Sequence, residues 1–326
     1  MVVLITGASS GIGYETAVLL ARKGHKVYAA ARRTALLEPL GALGAVPVQL
    51  DVTSAQSRQA CVRKVLEAEG RIDVLVNNAG YGYLGPVECV PEEEARRQMD
   101  TNLFGMAAMC SLVIPCMRSQ GSGRIINMSS AAGQAAVLYG GWYNISKYAV
   151  EALSDNLRIE LRGFGIDVVK IEPGGIRTPW GSIAANHLEA CAGSGAAAGC
   201  ADVEGAADGG DAAVHGSAAA GGAADGGVAA AGGSAVEGAA SGGAETAGGN
   251  PYAATAMREA SLLRKGYSGN FLTPPSVVAR AVCRAATARR PKVRYRPGIG
   301  AWFIPIAHTI LPSRWWDAFV RLMGKF

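Results

Sequence analysis

The chain is poor in the residues that build disulfide frameworks and metal centres. Its 326 residues include seven cysteines, an odd number, and four histidines. No two cysteines stand at a spacing typical of metal ligands. We therefore expect reduced thiols in a cytoplasmic protein, with no metal site.

Three further features are missing. No basic segment precedes the apolar N-terminus, so a signal peptide is not expected. No unbroken run of about 18 apolar residues indicates a bilayer span. No basic stripe is interleaved with aromatic residues, so nucleic acid is not an expected partner.

Bulky and basic residues are scarce in 181–250, which consists largely of Gly, Ala, Ser and acidic residues. The segment has no Lys or Arg and eight Asp or Glu residues, whereas the whole chain has a net charge of +5. The rest of the chain therefore carries +13, which favours anionic partners. Because the segment has too little apolar surface to offset its ordering entropy, we expect a disordered insertion and not a second domain.

Apolar runs typical of strands alternate with helical apolar spacing through the remainder. Strands are predicted at 2–6, 26–31, 46–50, 72–76, 124–128 and 166–171, and helices at 13–23, 54–69, 92–118 and 143–162. Such alternation produces right-handed crossovers between parallel strands. The predicted fold class is α/β, with a single Rossmann-type doubly wound parallel sheet and helices on both faces.

A glycine-rich turn follows the first predicted strand and opens the first helix. Gly7 permits a tight turn, Gly11 lets backbone amides approach a pyrophosphate, and Gly13 allows the helix to lie close to the strand. The helix N-terminus would face the phosphates. These features predict a dinucleotide site, whose contacts at this turn would be Gly7, Ser9, Ser10, Gly11, Ile12 and Gly13.

Tyr143 and Lys147 stand four positions apart. A helix would place the phenol and the ammonium on one face. A cation beside a tyrosine stabilises its phenolate, so we expect the pKa of Tyr143 to fall from about 10 towards neutrality. The side chain could then give or take a proton.

These two motifs belong to a longer series that resembles the short-chain dehydrogenase/reductase family. The series is Thr6-Gly7-x-x-x-Gly11-Ile12-Gly13, Asn77-Asn78-Ala79-Gly80, Asn102, Ser130, Tyr143-x-x-x-Lys147 and Pro173-Gly174. The resemblance implies a seventh strand at 293–295 and a homo-oligomer that assembles through the helices at 92–118 and 143–162. The expected segments are a cofactor-binding and catalytic core at 1–180, the insertion at 181–250, the rest of the lid and core at 251–300, and a tail at 301–326.

The resemblance implies a catalytic set of Asn102, Ser130, Tyr143 and Lys147. Tyr143 would exchange a proton with a substrate oxygen that Ser130 also binds, while hydride moves to or from a nicotinamide. Lys147 would bind the nicotinamide ribose, and the carbonyl of Asn102 would hold a water that links Lys147 to solvent. Beyond the glycine-rich turn, the implied cofactor contacts are Asp51, Val52, Asn78, Ala79, Gly80, Tyr143, Lys147, Pro173, Gly174, Ile176 and Thr178.

Cofactor preference is predicted from the end of the second strand. An acidic residue there would bind the adenosine ribose hydroxyls of NAD and repel a 2′-phosphate. The sequence instead has Ala31, followed by Arg32 and Arg33. Because a guanidinium on a phosphate contributes about 1.5–3 kcal/mol, we predict roughly a tenfold to hundredfold preference for NADP(H) over NAD(H).

Aromatic and apolar residues near these motifs favour a hydrophobic carbonyl or alcohol substrate. The run 77–88 resembles the hydroxysteroid and retinol dehydrogenase branch, which favours steroid-like, retinoid or other lipid substrates. Two alternatives stay open: an NADPH-dependent reductase of carrier-bound 3-oxoacyl groups, and a non-catalytic NADP(H)-binding sensor. The predicted substrate contacts are Ser130, Tyr83, Gln134, Leu138, Trp142 and Trp180, with Tyr81 and Ile183 as further candidates.

The insertion lies where the family places its substrate lid, whose two sides would be 181–190 and 252–272. It either alters turnover through lid closure or is tolerated loop growth. The tail from Ser313 has one apolar helical face, formed by Trp316, Phe319, Val320 and Met323. This face would pack on its own domain, on a second subunit or, through 313–326, on a membrane surface.

Overall fold

The fold is built on a parallel sheet, described here from a computed structural model that places residues 1–193, 250–268 and 272–323. The strands are β1 Val2–Thr6, β2 Lys26–Ala31, β3 Val46–Gln49, β4 Val74–Asn77, β5 Gly123–Met128, β6 Ile166–Ile171 and β7 Arg294–Tyr295. They form a seven-stranded sheet in the order β3-β2-β1-β4-β5-β6-β7, with every neighbouring pair parallel. The predicted fold class is confirmed. The central part of the expected insertion, 194–249, lies outside the described residues.

Helices cover both faces of the sheet. They are α1 Gly11–Arg22, α2 Glu38–Gly41, α3 Ala55–Glu69, α4 Glu92–Met99, α5 Gly105–Ser119, α6 Gly141–Leu161, α7 Trp180–Gly193, α8 Ala253–Ser268, α9 Pro275–Thr287, α10 Phe303–Ile310 and α11 Ser313–Met323. Successive strand residues point to opposite faces. In β1, Leu4 packs in the apolar cluster of α3 and α5, whereas Ile5 packs in that of α1 and α9.

The strand order reverses beside β1, and this reversal positions the site. The chain runs from β1 to β2 and β3 on one side of the sheet, and β4 then pairs with the other side of β1. Loops that leave β1 and β4 therefore diverge at their carboxyl ends and form a crevice, the place where open α/β sheets bind ligands. The glycine-rich turn follows β1, and 78–80 follows β4.

A π-helical segment, Asp100–Phe104, joins α4 to α5. Within the described residues, the continuous helix Glu92–Ser119 is long and apolar enough to cross a membrane. The sequence analysis did not identify this helix, because it considered only unbroken apolar runs. A third of its most apolar stretch is buried, and Met109 and Val113 are fully buried against the sheet, so one side of this helix packs in the core.

The predicted lid contains two helices, α7 and α8, which pack on each other. Composition assigned 181–193 to the insertion, but the structure places these residues in α7. Ala184, Ala185 and Leu188 are fully buried in the interface with α8, because small side chains allow two helices to approach closely.

The tail forms two short helices, α10 and α11. Trp316, from the predicted apolar face of α11, is buried against Phe319 and His308. Thus part of this face packs within the chain. Other large side chains of the tail are exposed instead, namely Trp302, Phe303, Ile306, Ile310, Trp315 and Leu322.

Candidate active site

The glycine-rich turn has the close approaches that its sequence predicted. Gly7 and Gly11 both have positive φ, +65° and +57°. A Cβ on Gly13 would lie 2.5 Å from the Gly7 carbonyl oxygen, so α1 can approach β1 only because this residue is glycine. Ser10 begins α1 without a side-chain capping bond, and the first amides of α1 face the crevice, where a helix N-terminus favours phosphate.

The segment after β4 is fastened to this turn by Asn78. Its amide nitrogen donates to the carbonyls of Thr6, at 3.1 Å, and Gly7, at 3.0 Å. The backbone amides of Asn78 and Ala79 both donate to the Thr6 hydroxyl, each at 3.0 Å. Asn78 therefore braces the floor of the crevice.

Asp51 and Arg32 lie together at the carboxyl ends of β3 and β2. The Asp51 carboxylate accepts bonds from the Thr53 amide and hydroxyl. These bonds, together with the charges of Arg32 and Arg58, outweigh the effect of burial and lower the pKa of Asp51. Asp51 is therefore ionised at neutral pH, and Arg32 is an exposed cation beside it.

The predicted catalytic residues converge beside β5. Ser130 follows β5, and its hydroxyl accepts from the Ala132 amide at 3.1 Å and lies near enough to Tyr143 of α6 to lower the pKa of the phenol. The Lys147 ammonium lies 5.8 Å from the centre of the Tyr143 ring and donates to the Met128 carbonyl at 2.9 Å. Helical spacing and the end of β5 thus bring three of the four residues to one point.

Burial dominates the protonation of this group. It raises the pKa of Tyr143, against the lowering effect of the Ser130 hydroxyl. This direction is opposite to the sequence-based expectation, which counted the Lys147 charge but not the loss of water. Burial also lowers the pKa of Lys147 to about 8, and the Glu151 carboxylate opposes this change.

Asn102 lies in the π-helical segment and is fully buried. Its amide nitrogen donates to the Tyr81 carbonyl at 2.9 Å and to the Ser146 hydroxyl at 3.0 Å, while its side-chain oxygen accepts from the Tyr81 amide. A Cβ on Gly80 would lie 3.0 Å from that oxygen and 3.8 Å from the Lys147 nitrogen. Asn102 thus joins α6 to the loop after β4, and π-helical insertions are frequent at functional sites.

The Pro173 loop is anchored by a buried carboxylate that the sequence did not single out as functional. Glu172 is fully buried and pairs with Arg294 and Arg296, the second at 2.8 Å. Arg296 also donates to the side-chain oxygen of Gln134 at 2.8 Å. Gln134, a predicted substrate contact, is therefore held by one end, while its amide nitrogen is buried without a partner in the described structure.

The remaining predicted cofactor contacts surround the same crevice. The Pro173 carbonyl accepts from the Ala131 amide at 2.9 Å, next to Ser130. A Cβ on Gly11 would lie 3.4 Å from the Thr178 methyl group, so this loop closes against the glycine-rich turn. The other predicted contacts are Ser9, Ile12, Arg33, Val52, Gly174 and Ile176, of which Val52 and Ile176 are buried.

Aromatic rings from the lid cover Tyr143. The Trp180 ring lies 5.3 Å from the Tyr143 ring and 5.8 Å from that of Tyr267 in α8. A Cβ on Gly82 would lie 2.4 Å from the Trp180 ring. Trp180 therefore fits only beside a glycine, and it lies against the ring of Tyr143, the predicted proton donor.

Other predicted substrate contacts are dispersed around the lid. Tyr83 stacks on His187 of α7 with ring centres 4.1 Å apart. Leu138 and Trp142 are half-buried near the start of α6, and the Trp142 indole nitrogen has no partner in the described structure. Tyr139 was missed by the sequence reasoning; it has a positive φ of 57° and bonds to Thr255 of α8.

Comparisons with known proteins agree with this geometry. The short chain dehydrogenase family profile matches residues 1–189. The chain is 43% identical over 177 residues to a 3-ketodihydrosphingosine reductase of Bacteroides thetaiotaomicron, covering 54% of this chain and 64% of that protein. It is 39% identical over 189 residues to human 17-beta-hydroxysteroid dehydrogenase type 1, covering 54% of this chain and 57% of that protein.

The crystal structure of a short-chain dehydrogenase from Streptomyces avermitilis is similar over nearly the whole length. It has a TM-score of 0.68 at 26% identity and covers 99% of this chain and 96% of that one. The two curated relatives are matched over less than two thirds of their own length. With the family profile matched over more than half of the chain, the protein belongs to the short-chain dehydrogenase/reductase family.

Proposed function

We propose that the protein is an NADP(H)-dependent oxidoreductase that interconverts a carbonyl and a secondary alcohol on a hydrophobic substrate. The observation that carries this proposal is the convergence of Ser130, Tyr143 and Lys147 at the carboxyl end of β5, with the Lys147 ammonium 5.8 Å from the tyrosine ring. Two hydroxyls and a buried cation beside a dinucleotide crevice suit proton transfer at a carbonyl oxygen.

In this mechanism Ser130 and Tyr143 hold the substrate oxygen between two hydroxyls. The Tyr143 hydroxyl gives its proton to the oxygen in reduction and takes it back in oxidation. The bound nicotinamide would supply or accept the hydride. Lys147 would bind the ribose hydroxyls through its ammonium, and Asn102 would fix the loop at 80–81 that borders both groups.

The crevice residues fit a dinucleotide. Gly7, Gly11 and Gly13 leave room for a pyrophosphate at the start of α1, and the ionised Asp51 can accept a bond from an adenine amine. The exposed Arg32 can pair with a 2′-phosphate. This cation, with no acid at Ala31, supports NADP(H) over NAD(H).

The lid supports a hydrophobic substrate. Trp180 and Tyr267 cover Tyr143, and Leu84 packs in the same cluster. Aromatic rings above a reacting carbonyl favour a flat or lipid-like substrate over a small polar one. The names of the two curated relatives, which refer to 3-ketodihydrosphingosine and to a hydroxysteroid, support the same class.

We also propose that the protein is a homo-oligomer. On α6, Ile145, Tyr148 and Ile159 are exposed, with Phe104 on the neighbouring π-helical segment. Exposed apolar residues along one helix are typical of an association face. Sedimentation of the purified protein would reveal a dimer or tetramer, and Ile159→Glu should shift it towards the monomer.

The tail supports contact with a membrane surface. Trp302, Ile310 and Trp315 are exposed beside the cations Arg314 and Arg321, a combination typical of helices at an anionic lipid surface. Flotation with anionic vesicles should recover the intact protein. Trp302→Ser combined with Trp315→Ser should abolish recovery without reducing turnover of a water-soluble ketone.

The proposed reaction is tested by NADPH consumption with purified protein and a panel of ketosteroids, retinal and long-chain ketones. Turnover that prefers NADPH supports the proposal, and the best substrate identifies the class. Binding of NADPH without turnover of any ketone would favour a sensor. Turnover of carrier-bound 3-oxoacyl groups alone would favour the acyl reductase alternative.

A further inference from the structure

Arg296, the residue after the last strand, bonds to two loops of the candidate site at once. Its Nε atom donates to Glu172 Oε2 at 2.8 Å, and its Nη2 atom donates to Gln134 Oε1 at 2.8 Å. Glu172 precedes the Pro173 loop, and Gln134 ends the catalytic loop, 130–134. The fork of one guanidinium therefore joins an expected cofactor loop to the catalytic loop.

Arg296 and its carboxylate partner are shielded from solvent. Glu172 is fully buried, and only 12% of the Arg296 side chain is exposed. Burial and the Glu151 carboxylate raise the pKa of Glu172, whereas the hydrogen bond from Arg296 lowers it and favours the ionised form. The Trp302 ring lies 5.2 Å from the guanidinium carbon but is itself exposed. The directional, charge-assisted hydrogen bonds therefore orient Arg296.

The chain that follows Arg296 lies along the Pro173 loop. The Gly174 amide donates to the Pro297 carbonyl at 3.1 Å. A Cβ on Gly174 would lie 1.8 Å from the Ile299 carbonyl oxygen, so the two backbones are in direct contact. The Pro173 loop and this segment thus form one unit, and Arg296 links the unit to the catalytic loop.

The Pro173 loop lies at the end of the crevice where the reaction is proposed to occur. The Pro173 carbonyl accepts from the Ala131 amide at 2.9 Å, next to Ser130. In the proposed mechanism Ser130 and Tyr143 hold the reacting carbonyl, so the nicotinamide has to lie at this end. The adenosine half would lie beside Arg32 at the end of β2, on the far side of β1 in the sheet.

We propose that Arg296 is a positioning residue that holds the nicotinamide end of the crevice against Ser130 and Tyr143. The inference rests on the proposed function and deepens it. Arg296 acts through Gln134 and Glu172, not by contact with the reacting atoms. A lysine here keeps a cation beside Glu172 but lacks the planar fork that holds two partners in fixed directions. Because a misplacement of about 1 Å can lower a rate about hundredfold, loss of the link should slow hydride transfer.

Two ligands locate the effect without any turnover. NADPH reaches both ends of the crevice, whereas adenosine 2′,5′-bisphosphate carries only the adenosine half. In isothermal titration calorimetry, Arg296→Lys should weaken NADPH binding about fivefold to tenfold and change bisphosphate binding by less than about twofold. Arg294→Lys is the matched control. Arg294 also pairs with Glu172, and its other described partner is Glu151, so both affinities should stay within about twofold of the wild type.

A second variant cuts the same link from the other loop. Gln134→Met removes the acceptor and leaves the Glu172–Arg296 pair in place, so it should weaken NADPH binding as Arg296→Lys does. The double variant should lose little more, because both changes remove one bond. With the ketone that the wild type reduces fastest in the test panel, each single variant should lower kcat about tenfold to hundredfold. Arg294→Lys should keep the wild-type kcat.

The outcomes separate this inference from the proposed function. Equal weakening of NADPH and bisphosphate binding in Arg296→Lys would show a general structural role and overturn the inference, as would additive losses in the double variant. If Arg296→Lys does not fold, Gln134→Met decides by the same comparison. Binding of NADPH by the wild type without reduction of any ketone overturns the proposed function alone, since the two affinities still decide the role of Arg296. A wild type that does not bind NADPH removes both.

Discussion

The two sides of Tyr143 are built from different interactions. On the sheet side, Lys147 and Asn102 are buried and hydrogen-bonded to backbone carbonyls of the protein. On the lid side, Trp180 and Tyr267 make ring contacts that need no fixed direction. The sheet side therefore fixes a geometry, whereas the lid side fills a volume.

Buried polar atoms without partners in the described structure occur on both sides. On the sheet side they include Asn77 Oδ1 and Ser129 Oγ, and near the lid or the catalytic loop they include Gln134 Nε2 and Trp142 Nε1. Polar groups of this kind remain available to a ligand. The comparison teaches that the sheet side suits one constant ligand and the lid side a particular substrate.

The largest expected effect comes from a change at Tyr143 itself, which every substrate would contact. Tyr143→Phe removes the proton donor and should lower kcat/KM by about 10²–10⁴-fold for every ketone. NADPH affinity, measured by fluorescence titration, should be retained. Tyr148→Phe, just over one turn further along α6 and exposed, is the control and should be fully active. Unequal losses of kcat/KM among the ketones in Tyr143→Phe would contradict the distinction between the two sides.

A substitution in the lid should discriminate among substrates. Trp180→Ala removes a large apolar contact, worth about 1.5–3 kcal/mol, so kcat/KM should fall roughly tenfold to hundredfold for the largest ketones and less for small ones. Steady-state kinetics with ketones of increasing size provide the measurement, with the exposed Trp302→Ala as control. A loss independent of substrate size would contradict this assignment of the lid.

Arg32→Ala should change the cofactor preference and leave the substrate preference unchanged. Because Arg32 is exposed and solvent weakens its pairing, the ratio of kcat/KM for NADPH to that for NADH should fall roughly tenfold. Arg63→Ala, at an exposed position on α3, should leave the ratio unchanged. An unchanged ratio in Arg32→Ala itself would mean that other residues select the cofactor.

The smallest expected effect is a shift along the pH axis. The pKa of Lys147 is about 8, and the Glu151 carboxylate raises it. Since the proposed mechanism needs Lys147 as an ammonium, kcat/KM for reduction should fall above about pH 8, and in Glu151→Gln the fall should begin at lower pH. Asp155→Asn, in the same group of charges around Lys170, should keep the wild-type profile. If the fall in kcat/KM began at higher pH in Glu151→Gln, the carboxylate could not be what raises the pKa of Lys147.

The sheet was predictable from the sequence because its information is local. Apolar runs, helical spacing and the glycines of the first turn each lie within a few residues of one another, and the strands were predicted to within two residues. Gly7, Gly13 and Asn78 could be interpreted one at a time, since each has a steric or hydrogen-bonding task of its own.

Contacts that join distant segments could not be predicted. Tyr139 bonds to Thr255 across the insertion, and Glu172, which follows β6, pairs with Arg294 of the last strand and with Arg296 after it. Periodicity gives no sign of such pairs. The raised pKa of Tyr143 was missed for a related reason, because burial depends on the whole fold and not on spacing.

The join between α7 and α8 has a consequence for engineering. The Asn250 amide donates to the Cys191 carbonyl at 2.6 Å, so the chain leaves the lid and returns to it at nearly the same point. A loop whose two ends lie this close together tolerates exchange of the segment between them, because the entropic cost of closing a loop grows slowly with its length. Residues 194–249 could therefore be replaced by a short linker, or by a reporter domain whose two ends lie close together.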